Sequence, residues 1–201
     1  MIDDELISAT EVMTQLLRLQ QVLCGYLKTD DGNIIDIKNN RMDALFETIE
    51  EMDGKVIIWS RFRRDIINIT AKLAKKNGQG SVVSFFGDTS DADRKSAVQN
   101  FQFGDARFFV ANPQTAGFGL TLTAATNVIY YANDFNLETR IQSEDRCHRI
   151  GQKKSVTYVD LLCKGTIDEY IVKSLKAKIN LASASLNEEV RKWLDLTPKK
   201  V

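Results

Sequence analysis

The chain has 201 residues, 43% hydrophobic and 27% charged, which suits one soluble domain, or one domain with a helical appendage, large enough to bury a core without staples. No apolar run approaches the roughly 18 residues that cross a bilayer, and the N-terminus lacks a signal-peptide pattern; the three cysteines, Cys24, Cys147 and Cys163, lie far apart without metal spacing, as reduced intracellular thiols do, and the sole histidine, His148, cannot build a His-rich metal site by itself. The formal net charge of zero hides an asymmetry, since residues 1–60 carry 5 Lys/Arg against 12 Asp/Glu and the remainder 22 against 15; charge of this size does not separate a polyanion-binding face from ordinary solvated surface.

In chain order, residues 4–24 read as a helix, because Leu6, Val12, Leu16, Leu19 and Leu23 recur near helical spacing and Gly25 supplies a stop. Asp31-Gly32, between two short apolar runs, predicts a tight hairpin or loop. Residues 41–52 form a second amphipathic helix with Met42, Leu45, Phe46 and Ile49 on one side, ended by Asp53-Gly54. From Lys55 the texture changes. Short apolar runs at 56–59, 82–86, 108–111, 128–131 and 156–162 follow one another, with helical stretches at 65–76 and 91–101 between the first three. That alternation predicts an α/β fold, a parallel sheet with helices on both faces, whose working loops lie beyond the carboxyl ends of the strands. Residues 166 to 193 read as a closing helix, opened by Thr166 and Glu169 at capping-box spacing, and the last five residues are expected to fray. Three segments result: a helical and hairpin lead-in over 1–54 packed on the lobe, the lobe itself over 55–165, and a closing helix with tail over 166–201.

The most informative segment is Gln142-Ser143-Glu144-Asp145-Arg146-Cys147-His148-Arg149-Ile150-Gly151-Gln152. With 138–150 helical, Gln142, Arg146 and Arg149 fall at i, i+4 and i+7 on one narrow stripe. Two guanidiniums on one stripe repel unless an anion or carboxylate lies opposite, and their planar forks suit phosphate oxygens. Phosphoryl transfer spreads negative charge over equatorial oxygens, which a supplied arginine stabilises. From spacing alone, a pair satisfied by Asp145 or Glu144 within the same domain explains the pattern at least as well.

The same eleven residues closely resemble the sixth helicase motif of Swi/Snf-like ATPases, a branch of superfamily 2. The other motifs stand in the matching order. Lys55-Val56-Ile57-Ile58-Trp59-Ser60-Arg61-Phe62 resembles the fourth motif, and Gly87-Asp88-Thr89-Ser90 with Arg94, Val98 and Phe101 resembles the Gly-x-Thr-Ser element after it. Residues 114–125 look like the fifth motif, Asp134-Phe135-Asn136 like the Asp-aromatic-Asn turn before the sixth, and Gly165-Thr166-Ile167-Asp168-Glu169 like the start of a brace helix. Residues 17–24 look like the helix that enters such a lobe, so the resemblance runs over about 16–175. Two positions depart from the pattern: Ala116 stands where glycine is usual, and Thr121 where asparagine is usual.

The resemblance implies a RecA-like, doubly wound lobe with lead-in and brace helix. It implies that Arg146 and Arg149 act as catalytic arginines on the phosphates of ATP across an interlobe cleft, with Gln142 and Gly119 also at the ATP site. Ser60, Arg61, Gly87, Thr89, Gln114, Thr115 and Gly117 become contacts to the DNA backbone. Chemically this is apt: Gly117 and Gly119 let backbone approach a ligand, Thr115, Thr121 and Thr123 offer small hydroxyls, and such groups hold phosphates without reading bases. Standing alone, the Gly/Thr-rich stretch is equally a plain strand-to-helix turn, and each single polar residue equally a surface one. His148 is expected to pack or hydrogen-bond, and Trp59 and Trp193 to fill the core or the brace.

A complete motor also needs a Gly-x-x-x-x-Gly-Lys-[Ser/Thr] phosphate loop and an acidic Mg²⁺ box after a strand. The one Gly-Lys pair is Gly54-Lys55, followed by Val56, and acidic clusters such as those at 3–5, 144–145 and 168–169 fall on helices or their starts. The expectation is therefore the second motor lobe of an ATP-driven double-stranded-DNA translocase, with ATP and Mg²⁺ held only in the complete two-lobe protein and no turnover by this chain alone. Its expected partners are double-stranded DNA and an N-terminal RecA-like lobe, in the same chain or a separate one, with no membrane, no metal site of its own and a monomeric state. Its expected place is intracellular, in the cytoplasm of a bacterial or viral setting or in the nucleus of a eukaryote. The alternatives are a stand-alone DNA- or partner-binding module without turnover, and a nucleotide-sugar-binding lobe, which shares the layout but leaves the arginines unexplained.

Overall fold

The computed structural model describes residues 2–87, 89–115 and 120–184. Helix α1 (Ile2–Leu23) stops at Gly25, whose φ of +92° suits a residue without Cβ and whose N–H donates to the Val22 carbonyl at 3.0 Å. Strands β1 (Tyr26–Lys28) and β2 (Ile34–Asp36) pair antiparallel around the Asp31-Gly32 turn, as the sequence predicts. There follow α2 (Arg41–Glu50), β3 (Lys55–Ser60), α3 (Arg63–Asn77), β4 (Val82–Phe85) and α4 (Asp91–Phe103). The chain continues through β5 (Phe108–Ala111), β6 (Ala125–Ala132), α5 (Leu137–Glu144), β7 (Thr157–Asp160) and α6 (Ile167–Ala184).

The main sheet has the order β4-β5-β3-β6-β7 with every neighbouring pair parallel. Its strands are apolar runs rather than alternating ones because both faces are covered. Val56 and Ile58 of β3, Val110 of β5, and Ile129 and Tyr131 of β6 pack with Leu45 and Ile49 of α2 and Ile66, Ile69 and Leu73 of α3. Their sequence neighbours Ile57, Trp59, Phe109, Ala111, Val128 and Tyr130 face the other way, onto Ala97 and Phe101 of α4 and onto Leu122 and Cys147. Trp59 is thus a core residue, and the doubly wound α/β arrangement is the one the sequence pattern predicts. Trp193 lies outside the described residues.

A buried ion pair ties the start of α2 to the start of α6. Arg41, at the start of α2, and Asp168, in the first turn of α6, have side chains 2% and 6% exposed. The same guanidinium donates to the Tyr131 and Leu161 carbonyls, the second at 3.4 Å. Asp168 also accepts from the Cys163 N–H at 3.0 Å, and Thr166 Oγ1 accepts from the Asp168 N–H at 3.3 Å. The Thr166 hydroxyl therefore caps the Asp168 N–H, while the Glu169 N–H binds the Thr166 carbonyl at 3.2 Å.

One expected element ends early. The sequence pattern runs a helix over 138–150, but α5 closes at Glu144. Beyond it the chain turns: the Glu144 carbonyl accepts from the N–H groups of both Cys147 (3.0 Å) and His148 (3.1 Å). The Leu122 N–H binds the Arg146 carbonyl at 2.8 Å, and the Gln152 amide donates to the Thr123 and Ala125 carbonyls, both at 3.0 Å. Ties to the approach of β6 replace the helical ladder, so Gln142 and the two arginines do not form a continuous helical stripe.

Candidate functional site

Arg61, Gly87, Thr89, Gln114 and Thr115 lie just past the carboxyl ends of β3, β4 and β5, where ligands of such sheets gather, whereas Gln142, Arg146 and Arg149 lie on α5 and the turn after it, tied to the approach of β6. Ser60, the last residue of β3, is an exception in its exposure. It is fully buried, and its hydroxyl donates to the Asp65 carboxylate at 3.0 Å. Its side chain lies beneath the surface of this edge rather than on it. Burial lifts Asp65 to about 6, although hydrogen bonds from Cys24 and Ser60 and the nearby Arg41 and Arg64 pull it down.

The next residue, Arg61, is held rather than loose. Its guanidinium donates to Gln20 Oε1 at 2.7 Å and lies 3.7 Å from an Asp134 oxygen. Gln20 is itself buried on α1 and donates to the Asn133 carbonyl at 2.9 Å, pinning the entering helix to the end of β6. Across the edge, Asn112 follows β5 and donates to the Arg61 carbonyl at 2.7 Å. Its side-chain oxygen accepts from the Gln114 N–H at 2.8 Å, and its carbonyl accepts from the Thr115 hydroxyl at 2.9 Å. Gln114 Nε2 then donates to Asp134 at 2.8 Å. Arg61, Gln114 and Thr115 are thus gathered into one patch through Asn112 and Asp134.

Gly87 and Thr89 sit apart from that patch, on the turn between β4 and α4. The Phe86 N–H donates to Thr89 Oγ1 at 3.1 Å, and the Gly87 carbonyl accepts from Arg94 at 3.0 Å. Gly87 is exposed. Gly117 and Gly119 lie outside the described residues.

The arginine turn occupies the stretch after α5. Arg146 is enclosed, 7% exposed, while Arg149 is exposed. Burial and then the neighbouring Arg149 charge depress the Arg146 pKa, against an opposing pull from Asp145. Arg149 reaches Thr121 Oγ1 at 3.3 Å and the Leu120 carbonyl at 3.5 Å, joining the sixth-motif turn to the end of the fifth-motif stretch. Arg149 makes no ion pair among the described residues. Gln142 is half-buried and donates to Glu138 at 2.9 Å, one helical turn earlier. His148 is exposed. Beneath the turn, burial pushes the Cys147 thiol up to about 12, an inert core group.

The helicase conserved C-terminal domain family matches residues 38–151, more than half of the chain. The chain belongs to that family. Its relatives place it in the Swi/Snf-like branch. The chromatin-remodeling ATPase INO80 of Mus musculus is 31% identical over 176 residues, which cover 87% of this chain and 11% of the relative. The SWI/SNF-related matrix-associated actin-dependent regulator of chromatin subfamily A-like protein 1 of Xenopus laevis is 32% identical over 171 residues, 84% of this chain and 17% of the relative. Among solved structures, the C-terminal part of the Fun30 ATPase domain aligns with a TM-score of 0.63 and 29% identity, over 78% of this chain and 52% of that one. The helicase lobe therefore spans 11% and 17% of the length of these two curated relatives.

Four residues of the helicase lobe's edge escape a reading by motif roles alone. Gln20, Asn112, Asp134 and Gln152 each organise a predicted contact, through the hydrogen bonds of Arg61, Gln114, Thr115 and the arginine turn. For Asn112 the available signal is position: it is the first residue after a strand. Gln20 carries no such mark, since its partners lie 41 and 113 residues away.

Proposed function

We propose that this lobe is the second half of an ATP-driven motor that moves along double-stranded DNA, working against an N-terminal RecA-like lobe. Arg149, with Arg146 beside it, serves as the arginine pair that stabilises charge on the phosphates of ATP bound in the cleft between the lobes. The observation that carries this reading is the turn after α5. The exposed Arg149 guanidinium, with no ion pair among the described residues, stands next to the enclosed Arg146, whose proton affinity is lowered first by burial and then by the Arg149 charge. Such an arrangement is costly in a resting domain and favourable when an anion arrives.

ATP is the substrate, and hydrolysis of its terminal phosphate supplies the work. Mg²⁺ would neutralise phosphate charge, but this edge does not fit it. Its carboxylates Asp134, Asp160, Glu138 and Glu144 are engaged by Gln114, Arg140 and Gln142, and no three His, Cys, Asp or Glu side chains among the described residues gather as a metal site. The metal therefore belongs with the partner lobe. Arg61, Gln114 and Thr115, with Gly87, Thr89 and Gly117, line the DNA backbone, where amides, hydroxyls and one guanidinium hold phosphates without reading sequence. Ser60 contributes from below by fixing Asp65. Cycling of the two lobes between closed and open populations, set by the arginines' hold on the phosphates, carries the grip from one backbone position to the next.

The test uses the complete two-lobe protein. Arg146→Ala and Arg149→Ala should each lower DNA-stimulated ATP turnover by about 10³-fold or more, the range of supplied arginines. Duplex affinity at fixed salt should stay within about threefold, since neither side chain is counted among the backbone contacts. Equal loss of turnover and DNA binding in folded variants would refute this division of roles.

A further inference from the structure

Behind the arginine turn lies a buried charge network that the proposed function leaves unused. Its centre is Arg140 of α5, with a side chain 11% exposed. Its Nε donates to Glu144 Oε1 at 2.5 Å, one turn along the same helix. Its other nitrogens donate to Asp160 Oδ1 at 2.6 Å, at the carboxyl end of β7, and to Asn133 Oδ1 at 2.9 Å, just past β6. Asn133 closes the ring by donating to Asp160 at 2.8 Å. The guanidinium lies 3.4 Å from the centroid of the buried Tyr130 ring, and the Tyr130 hydroxyl meets Ser143 Oγ at 2.6 Å. One planar cation thus gathers the ends of two strands and the last residue of a helix.

Glu144 is where this network reaches the turn. Its carboxylate is held by Arg140, while its carbonyl accepts the N–H groups of Cys147 and His148, the residues that follow Arg146. The position of Glu144 therefore sets the origin of the loop that carries Arg146 and Arg149. Without the guanidinium, Glu144 and Asp160 would face each other as like charges in a poorly hydrated site, and the helix end would shift to relieve them.

We propose that Arg140 is a positioning residue: through Glu144 it fixes the arginine turn to the ends of β6 and β7, so that the pair meets the phosphates in register. This inference rests on the motor reading above. A displacement of about 1 Å at a reacting centre costs on the order of 100-fold in rate, so a partial loosening should read out as a fall in kcat.

The experiment compares Arg140→Lys, Glu144→Gln and Arg149→Ala in the complete two-lobe protein. Glu144→Gln keeps the shape and the Arg140–Asp160 pair, and Arg140→Lys keeps the charge but loses the fork. Both should lower kcat for ATP by about tenfold or more, with KM for ATP and duplex affinity within about twofold, measured at least 15 °C below each Tm. A purely architectural role would lower Tm and leave kcat per folded molecule unchanged. Unchanged kcat in folded Glu144→Gln and Arg140→Lys, alongside abolished turnover in Arg149→Ala, overturns the inference and leaves the motor reading standing. Persistent turnover in Arg149→Ala overturns both. Should Arg140→Lys fail to fold, Glu144→Gln decides the question alone.

Discussion

Replacing Arg41 by Met removes the cation that joins the lead-in to the closing helix, and the structure sets the scale of the effect. Its partner Asp168 is only 6% exposed on the side chain. The lost fork also served the Tyr131 and Leu161 carbonyls and lay 3.4 Å from the Cys163 sulfur. What remains for Asp168 is the Cys163 N–H at 3.0 Å. Breaking one side of such a buried pair costs about 3–5 kcal/mol, chiefly because the surviving charge is stranded. Against a domain stability of roughly 5–15 kcal/mol, that is a large share. Urea unfolding of the 201-residue chain followed by far-ultraviolet circular dichroism measures it. Arg41→Met should lower the midpoint accordingly, and the double variant R41M/D168N should recover most of the loss, since neither charge is then left behind. A single unfolding transition would also support the lead-in and closing helix as parts packed on the lobe. A change below about 1 kcal/mol for Arg41→Met would refute the reasoning, because it would put the pair in the range of solvent-screened bridges.

Further outcomes follow from particular residues. Asp65 is raised from an ordinary 3.8 to about 6 by burial, so the folded state binds its proton more tightly than the unfolded chain. That contribution is fully present below the unfolded value and is lost as pH rises through about 6; between pH 5 and 7.5 it amounts to about 1.4 kcal/mol. Asp65→Asn should flatten that part of the stability–pH curve in denaturant titrations, and an unchanged slope would contradict the assignment. At Gly54, φ is +80° and an added Cβ would meet Thr126 Oγ1 at 2.7 Å. Gly54→Ala should therefore cost about 1–3 kcal/mol by thermal denaturation, with Thr126→Ala recovering only the steric part. The chain by itself should show no steady-state ATP turnover with duplex DNA present, and measurable turnover in a pure preparation would refute that. Its one Gly-Lys pair is committed elsewhere: Lys55 Nζ donates to the Phe101 and Gly104 carbonyls at 2.6 and 2.7 Å, capping the end of α4.

The parallel sheet was legible because strands buried on both faces must be apolar throughout, and residues 56–59, 108–111 and 128–131 show this without ambiguity. The helix stops were legible where glycine adopts positive φ, as at Gly25 and Gly54. The over-long helix at 138–150 shows where local pattern fails. Nothing in the spacing announces that Leu122 and Gln152 will draw the chain away from the ladder after Glu144. Ser60 shows a second limit. A polar residue after a strand reads as surface, yet a partner five residues on, Asp65, lets its hydroxyl be buried. The resemblance placed Arg61, Gln114 and Thr115 near one edge, but Gln20, which holds Arg61, comes from a segment 41 residues away and carries no local signature. Arg140 is the sharpest case: its partners Asn133 and Asp160 lie 7 and 20 residues away, on different elements.

The most direct test of the arginine pair is binding of ADP–aluminium fluoride, a mimic of the phosphoryl group in transit, to the complete two-lobe protein. Removing either guanidinium should weaken that complex by about 100-fold or more while leaving ADP affinity within about threefold, because the contact is made to the group being transferred. Undiminished affinity for the analogue in folded Arg146→Ala and Arg149→Ala proteins would contradict the account.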